Sequence, residues 1–178
     1  MKWKFKFLFL SVLALPFLLG CVSELKQESP EVARSKQIIH LSRQLESSGA
    51  RVIQTGQTMR VIFSSDNLFN PRSANLSLFA PGPLDNLSQL MSILETTSVE
   101  VSAYTDVEPS RMQNVALSTG QAEAVADYLW SKGVDARLLY SVGYDSRGQF
   151  DGLPGALARN PNRRVEIQFQ YLPLLTSL

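Results

Sequence analysis

From Val99 onward the spacing of the apolar residues switches back and forth between two and nearly four, and that grammar restricts the fold more than any other feature. Val99, Val101 and Ala103 alternate with Glu100, Ser102 and Tyr104, the two-residue period of a strand with one buried face. Ala122, Val125 and Leu129 then fall three and four apart, the stripe of an amphipathic helix over about 113–132 that Gly133 ends. Leu138–Tyr144 reads as a strand, and residues 145–161, rich in Gly, Pro and Asn, read as a loop. Arg164–Tyr171 alternates again through Val165, Ile167 and Phe169. Upstream, Arg51–Gln54 and Met59–Phe63 read as short strands around the turn Thr55-Gly56-Gln57. Residues 64–83, with Pro71, Pro81, Gly82 and Pro83, read as loop, after which Leu84, Leu87, Met91 and Leu94 repeat at helical spacing. From Met59 the order is β-α-β-α-β-β. One-faced strands and striped helices must bury each other, which predicts an α+β two-layer sandwich with both helices on one face of the sheet.

A further helix precedes this unit. Ser29, Pro30 and Glu31 are suited to N-cap, first helical position and first-turn acid. Ile38, Leu41 and Leu45 form one stripe, and Gly49 closes it. His40 lies on this helix with no catalytic partner evident, which suits a structural or surface role; the helix itself could serve as a contact surface for another protein.

The chain starts with an address. Lys2, Lys4 and Lys6 form a positive segment before Phe7–Leu19, thirteen residues interrupted only by Ser11 and Pro16. A bilayer-spanning helix needs about 20 apolar residues, whereas this length suits a signal-peptide core. Leu18-Leu19-Gly20-Cys21 resembles the lipobox of bacterial lipoproteins. The resemblance implies cleavage before Cys21 and lipid on its thiol, acyl chains such as palmitate then holding the protein on a membrane. Val22, where an aspartate would mark inner-membrane retention, points to the outer membrane with the folded part in the periplasm. Residues 22–30 are a polar tether. At ~3.3 Å per residue its reach is about 30 Å.

Composition excludes several functions. The chain has 17 Lys+Arg against 16 Asp+Glu, and loss of the first 20 residues leaves 14 against 16, so no basic surplus speaks for nucleic acid. One Cys and one His exclude a disulfide framework and any Cys- or His-clustered metal site. No nucleophile–His–acid set and no phosphate loop is visible, so no enzyme and no cofactor is expected. Asp106 with Glu108 is a carboxylate pair of the kind common on loops.

The ordered residues carry a resemblance. Thr105-Asp106 closes a strand; Asn114 and Leu117-Ser118 open a helix that runs through Ala122, Val125 and Tyr128-Leu129 to Gly133-Val134. Arg137-Leu138, Gly143-Tyr144, Arg159 and the run Asn162-Arg163-Arg164-Val165-Glu166-Ile167 follow. This pattern resembles the OmpA-like peptidoglycan-associating domain over about residues 58–170. The chain then divides into a leader (1–20), a lipidated tether (21–30), the N-terminal helix with its hairpin (31–57), the domain (58–170) and a tail (171–178).

The resemblance implies a ligand, the peptide stem of peptidoglycan, whose diaminopimelate end carries an ammonium and a carboxylate. A zwitterion of this kind requires an anion and a cation or strong donors a few ångströms apart. Asp106 matches the family aspartate suited to the ammonium, Asn114 the family asparagine, and Arg159 and Arg163 the arginines at and before the final strand. The helix arginine that would grip the carboxylate is Gln121 here, beside a helix-weakening Gly120. Tyr104 stands in the family's histidine position, and a glycine is missing from Val107-Glu108-Pro109. A charge-assisted bond contributes about 1.5–3 kcal/mol against ~0.5–1.5 for a neutral one, so Gln121 implies a loss of one to two powers of ten in affinity unless Arg159 or Arg111 compensates. The residues also admit structural roles: Asp106 as a turn former, Asn114 as a helix N-cap, Arg163 and Arg164 as sheet residues with one paired to an acid.

Two functions from different classes follow. One is an outer-membrane lipoprotein that associates noncovalently with peptidoglycan and anchors an envelope assembly. The alternative is a structural subunit of an envelope machine, contacting protein partners through a degenerate pocket that no longer binds peptidoglycan. The length of 178 residues and the Asp66-Asn67-Leu68-Phe69 segment resemble the IcmN/DotK lipoproteins of type IVB (Dot/Icm) secretion systems, which implies secretion-system core proteins as partners.

Overall fold

The last strand organises the sheet. The structure is a computed structural model describing residues 28–106, 111–145 and 162–173. It contains strands β1 (Arg51–Thr55), β2 (Thr58–Ser64), β3 (Thr96–Tyr104), β4 (Leu139–Gly143) and β5 (Arg164–Tyr171). Its helices are α1 (Pro30–Ser47), α2 (Ser65–Leu68), α3 (Pro81–Ile93) and α4 (Arg111–Ser131), with a 3₁₀ turn at Ala136–Leu138. The sheet order is β1-β2-β5-β3-β4, so β5 lies between β2 and β3, antiparallel to both. Its register places Val165 between Phe63 and Ala103, Ile167 between Val61 and Val101, and Phe169 between Met59 and Val99. All nine of these side chains are buried. A slip of one residue would turn every one of them to the opposite face, so this alternation fixes the register.

The helices cover that face. Leu84, Leu87, Leu90 and Met91 of α3 and Ala122, Val125 and Leu129 of α4 belong to the same core cluster. α1 lies against α3 and adds Leu41 and Leu45, so three helices rather than two enclose the core. Because β4 is parallel to β3, the chain must cross over between them, and α4 is that crossover. Ser29 Oγ accepts from Val32 N–H at 3.4 Å at the start of α1, and Gly49 has φ 87°, where glycine bears no Cβ penalty. Arg34 Nε donates at 3.0 Å to the Ile93 carbonyl, placing a cation on the negative end of α3.

Three elements differ from expectation. α3 begins at Pro81, ahead of its apolar stripe, since a first-turn residue needs no backbone donor and proline fits there. The segment read as loop also holds the one-turn helix α2, whose Leu68 is fully buried. Asn114 is not an N-cap, because α4 already begins at Arg111 and takes Asn114 into its interior.

The opposite face of β5 holds a buried charge. Arg164 is 1% exposed and donates from Nε at 2.7 Å to Glu166 Oε1. Its guanidinium lies 3.8 Å from the centre of the Tyr104 ring, which stacks on Tyr144 at 5.1 Å. Burial, reinforced by the Glu166 carboxylate, raises the Tyr104 phenol above its ordinary value. The arginine paired with an acid on the sheet is therefore Arg164.

Candidate functional site

α4 changes character along its length. Its second half buries Ala122, Val125 and Leu129, whereas its first half buries the polar Asn114, Ser118 and Gln121. Those polar groups meet the end of β3. Thr105 N–H donates to the Asp145 carbonyl at 2.8 Å, and Asp145 N–H donates to Ser118 Oγ at 3.2 Å. Ser118 in turn donates to the Val115 carbonyl at 3.1 Å. Tyr144 N–H donates to the Ala103 carbonyl at 2.9 Å, so Thr105-Asp106, Leu117-Ser118 and Gly143-Tyr144 form one knot. Gly143 is the point of closest approach: a Cβ there would stand 2.4 Å from Thr119 N and 2.6 Å from Ser118 Oγ.

Beside this knot opens a small cleft of about 30 Å³, lined among others by Ser65, Arg72, Thr105, Asp106, Gln121 and Arg163. At roughly 10–15 Å³ for a single water, this is room for one small charged group, not for a whole peptide. Three of the lining residues carry a buried polar atom, Ser65 Oγ, Thr105 Oγ1 and Gln121 Oε1, with no hydrogen-bond partner among the described residues. Buried polar atoms are nearly always satisfied, so three orphans on one cleft mark a place for a polar ligand or ordered water. Gln121 uses its amide nitrogen structurally, donating to the Ser73 carbonyl at 3.0 Å. Arg163 forms an ion pair with Asp66 of α2.

Of the residues singled out from sequence, Asp106, Gln121 and Arg163 meet at this cleft, whereas Asn114 is buried in α4 and does not line it. Arg159 and Cys21 lie outside the described residues. Arg111, the other compensating cation considered, extends instead toward Asp145, with Nε 3.7 Å from Oδ2. His40 is exposed on α1. Among the described residues no group of three or more His, Cys, Asp or Glu side chains is placed to hold a metal ion. Nor is any helix among them long and apolar enough to cross a membrane. Sequence reasoning misses Ser65 and Arg72, which belong to a segment without periodicity; its turn-forming Asn70-Pro71 was the available signal.

Comparison with known proteins matches the model of the OmpA family to residues 68–163, more than half of the chain. The chain belongs to the OmpA family. The chain is 33% identical to outer membrane protein P5 of Haemophilus influenzae over 140 residues, covering 71% of this chain and 39% of that protein. It is 27% identical to "Probable lipoprotein YiaD" of Escherichia coli over 127 residues, covering 71% and 58% respectively. The chain thus spans less than two thirds of these relatives' length. The fold is shared with the cell wall anchor of the T6SS from Pseudomonas aeruginosa, at a TM-score of 0.65 and 23% identity over 78% of this chain and 99% of that one.

Proposed function

We propose that this OmpA-family chain is an outer-membrane lipoprotein, anchored through lipid on Cys21, whose periplasmic domain associates noncovalently with the peptide stem of peptidoglycan, most simply its diaminopimelate end. In this role it fastens an envelope assembly to the wall, and the assembly is a type IVB secretion system in which the chain is the IcmN/DotK component. The observation carrying the reading is the convergence at one cleft of Asp106, two arginines and three unsatisfied buried polar atoms. A carboxylate beside guanidinium groups suits a ligand end that bears both signs of charge. The domain division given above, with the helix and hairpin of 31–57 ahead of a 58–170 domain, belongs to the same proposal.

Sedimentation with purified sacculi tests the wall role. Asp106→Ala removes the charged acceptor for the ammonium and is expected to weaken binding by about ten- to hundred-fold, as one charge-assisted bond contributes. Unchanged binding would sink the assignment of this cleft. Exposed Leu78 and Phe79, at 95% and 83%, favour a second reading, in which the domain serves protein contacts. A stable heteromeric complex that ignores sacculi would decide for that reading.

The anchor has its own test. Mass spectrometry of the membrane form should show a lipid adduct on residue 21, and Cys21→Ser should leave the chain unprocessed or mislocalised. A mature N-terminus at any other residue would overturn it.

A further inference from the structure

We infer that the outer edge of β4 and the flank of α4 above it form one interaction surface, and that its occupant is a second copy of this chain, paired antiparallel about a twofold axis at Ser141. The inference is independent of what the cleft binds.

The sheet ends at β4. Tyr144 N–H donates to the Ala103 carbonyl at 2.9 Å, and Gly143 is in register with Ala103. Backbone groups alternate in direction along a strand, so Tyr140, Val142 and Tyr144 turn theirs toward β3, while Leu139, Ser141 and Gly143 turn theirs outward. Natural edge strands are ordinarily guarded by a lysine, a proline or an inward-pointing charge. The sequence of β4, Leu-Tyr-Ser-Val-Gly, has none of these. Its Tyr140 is 62% exposed.

α4 continues the same surface in the helical layer. Tyr128 O–H donates to Asp85 Oδ1 at 2.8 Å, so that side of α4 faces α3. At ~100° per residue, Met112, Thr119 and Trp130 lie about 160–180° round the helix from Tyr128, on the flank turned away from α3. The approach of Thr119 N to Gly143, 2.4 Å from where a Cβ would stand, places this flank over β4. Met112 is 80% exposed, Trp130 61% and the adjacent Val115 39%. An unguarded strand edge is thus roofed by exposed apolar side chains.

A second copy fits both layers at once. With Ser141 opposite its own equivalent, Leu139 meets Gly143 and Tyr140 meets Val142, and the outward backbone groups of each strand pair with those of the other. Tyr140 beside Val142 is a favourable aromatic–β-branched pair. From Gly143 back to Ser141 is ~6.6 Å along the strand. On the antiparallel helix, at ~1.5 Å per residue, that distance leads from Thr119 to about Glu123. The axis therefore passes beside Glu123, and Trp130 of each copy comes over Val115 of the other. An aromatic side chain covers about 150–250 Å² when buried, and three-fifths of Trp130 and of Tyr140 is still open. With Met112, Val115 and the strand edge, two copies would bury roughly 1,000 Å², the lower bound of a specific interface, so the dimer is reversible. The facing Glu123 carboxylates work against it. The paired domains run antiparallel, and a tether reaching about 30 Å lets both remain on one membrane.

Cross-linking and mass measurement test the pairing. Directly opposed residues have Cα atoms ~4.5–5.5 Å apart, within disulfide reach. In membranes, Ser141→Cys should give a disulfide-linked dimer on mild oxidation that the parent, with Cys21 alone, does not. Sedimentation equilibrium of the full chain in detergent should show monomer and dimer exchanging with concentration. Trp130→Lys and Tyr140→Lys, at exposed positions, should each weaken the dimer by about ten-fold or more while leaving the unfolding temperature unchanged. Glu123→Gln should tighten it by about two- to five-fold. A single-copy mass at every concentration, a dimer indifferent to both lysine variants, or no cross-link above the parent's would overturn the inference. A complex in which a different protein covers Trp130 and Tyr140 would overturn it as well.

Discussion

Glu166→Ala is expected to destabilise the fold by about 3–5 kcal/mol, the cost of stranding one partner of a buried ion pair. Arg164 is 1% exposed and its Nε lies 2.7 Å from Glu166 Oε1. Removing the carboxylate takes an anion at hydrogen-bond distance from a guanidinium already out of water, whose stacking on the Tyr104 face at 3.8 Å is a weaker, quadrupolar attraction. Replacing both members, as in Arg164→Met with Glu166→Leu, should cost less, because the buried guanidinium goes with its carboxylate and the other cation near Glu166, Arg60 at 3.7 Å, is solvated. Urea denaturation measures both: the single variant should shift the midpoint with little change in slope. A single-variant loss below about 1 kcal/mol, typical of solvated pairs, would show that water reaches this pair. The two adjacent arginines thereby divide the work, Arg163 reaching Asp66 beside the cleft and Arg164 securing the same strand from the opposite face.

What could be read from sequence depends on whether a signal is local. The alternation Val165, Ile167, Phe169 defines β5 with its observed bounds, because each inward side chain meets an apolar neighbour on both sides. α2 has a single turn and therefore no stripe to detect, and the prolines that open α3 read equally as loop. At the site, Asp106 and Gln121 were found through a family pattern laid along one stretch of chain. Arg72 was not, because its relation to them is made only by folding: the bond that seats its loop joins residues 48 apart, and the Arg163–Asp66 pair joins residues 97 apart. Gln121 is the instructive case. Judged by residue type it is a lost charge, whereas in the fold its amide nitrogen is a loop support and its carbonyl oxygen a buried acceptor without a partner among the described residues.

Gly143→Ala joins stability to binding. At this glycine a Cβ would stand 2.4 Å from the backbone nitrogen of Thr119, well inside contact distance, with Ser118 Oγ at 2.6 Å and Thr119 Oγ1 at 2.7 Å. A backbone atom in a helix cannot rotate aside as a side chain can, so α4 or β4 must move as a body. Overpacking of this kind costs about 1–3 kcal/mol. The displacement falls on the 3.2 Å bond from Asp145 N–H to Ser118 Oγ and so reaches the Thr105–Asp145 contact that positions the end of β3. Asp106 is on that end and Gln121 is one turn along the displaced helix, so the two walls of the cleft separate. The variant should therefore unfold at a lower temperature and, well below that temperature, bind sacculi less than the parent. Gly82→Ala is the matched control: a Cβ there meets nothing within 4 Å, and the position is helical, so stability should hold or rise slightly. If Gly143→Ala kept the parent's unfolding midpoint, the close packing of α4 on β4 would not be what holds the site together. If it unfolded earlier yet bound sacculi undiminished, the cleft beside α4 would not be where the wall is held.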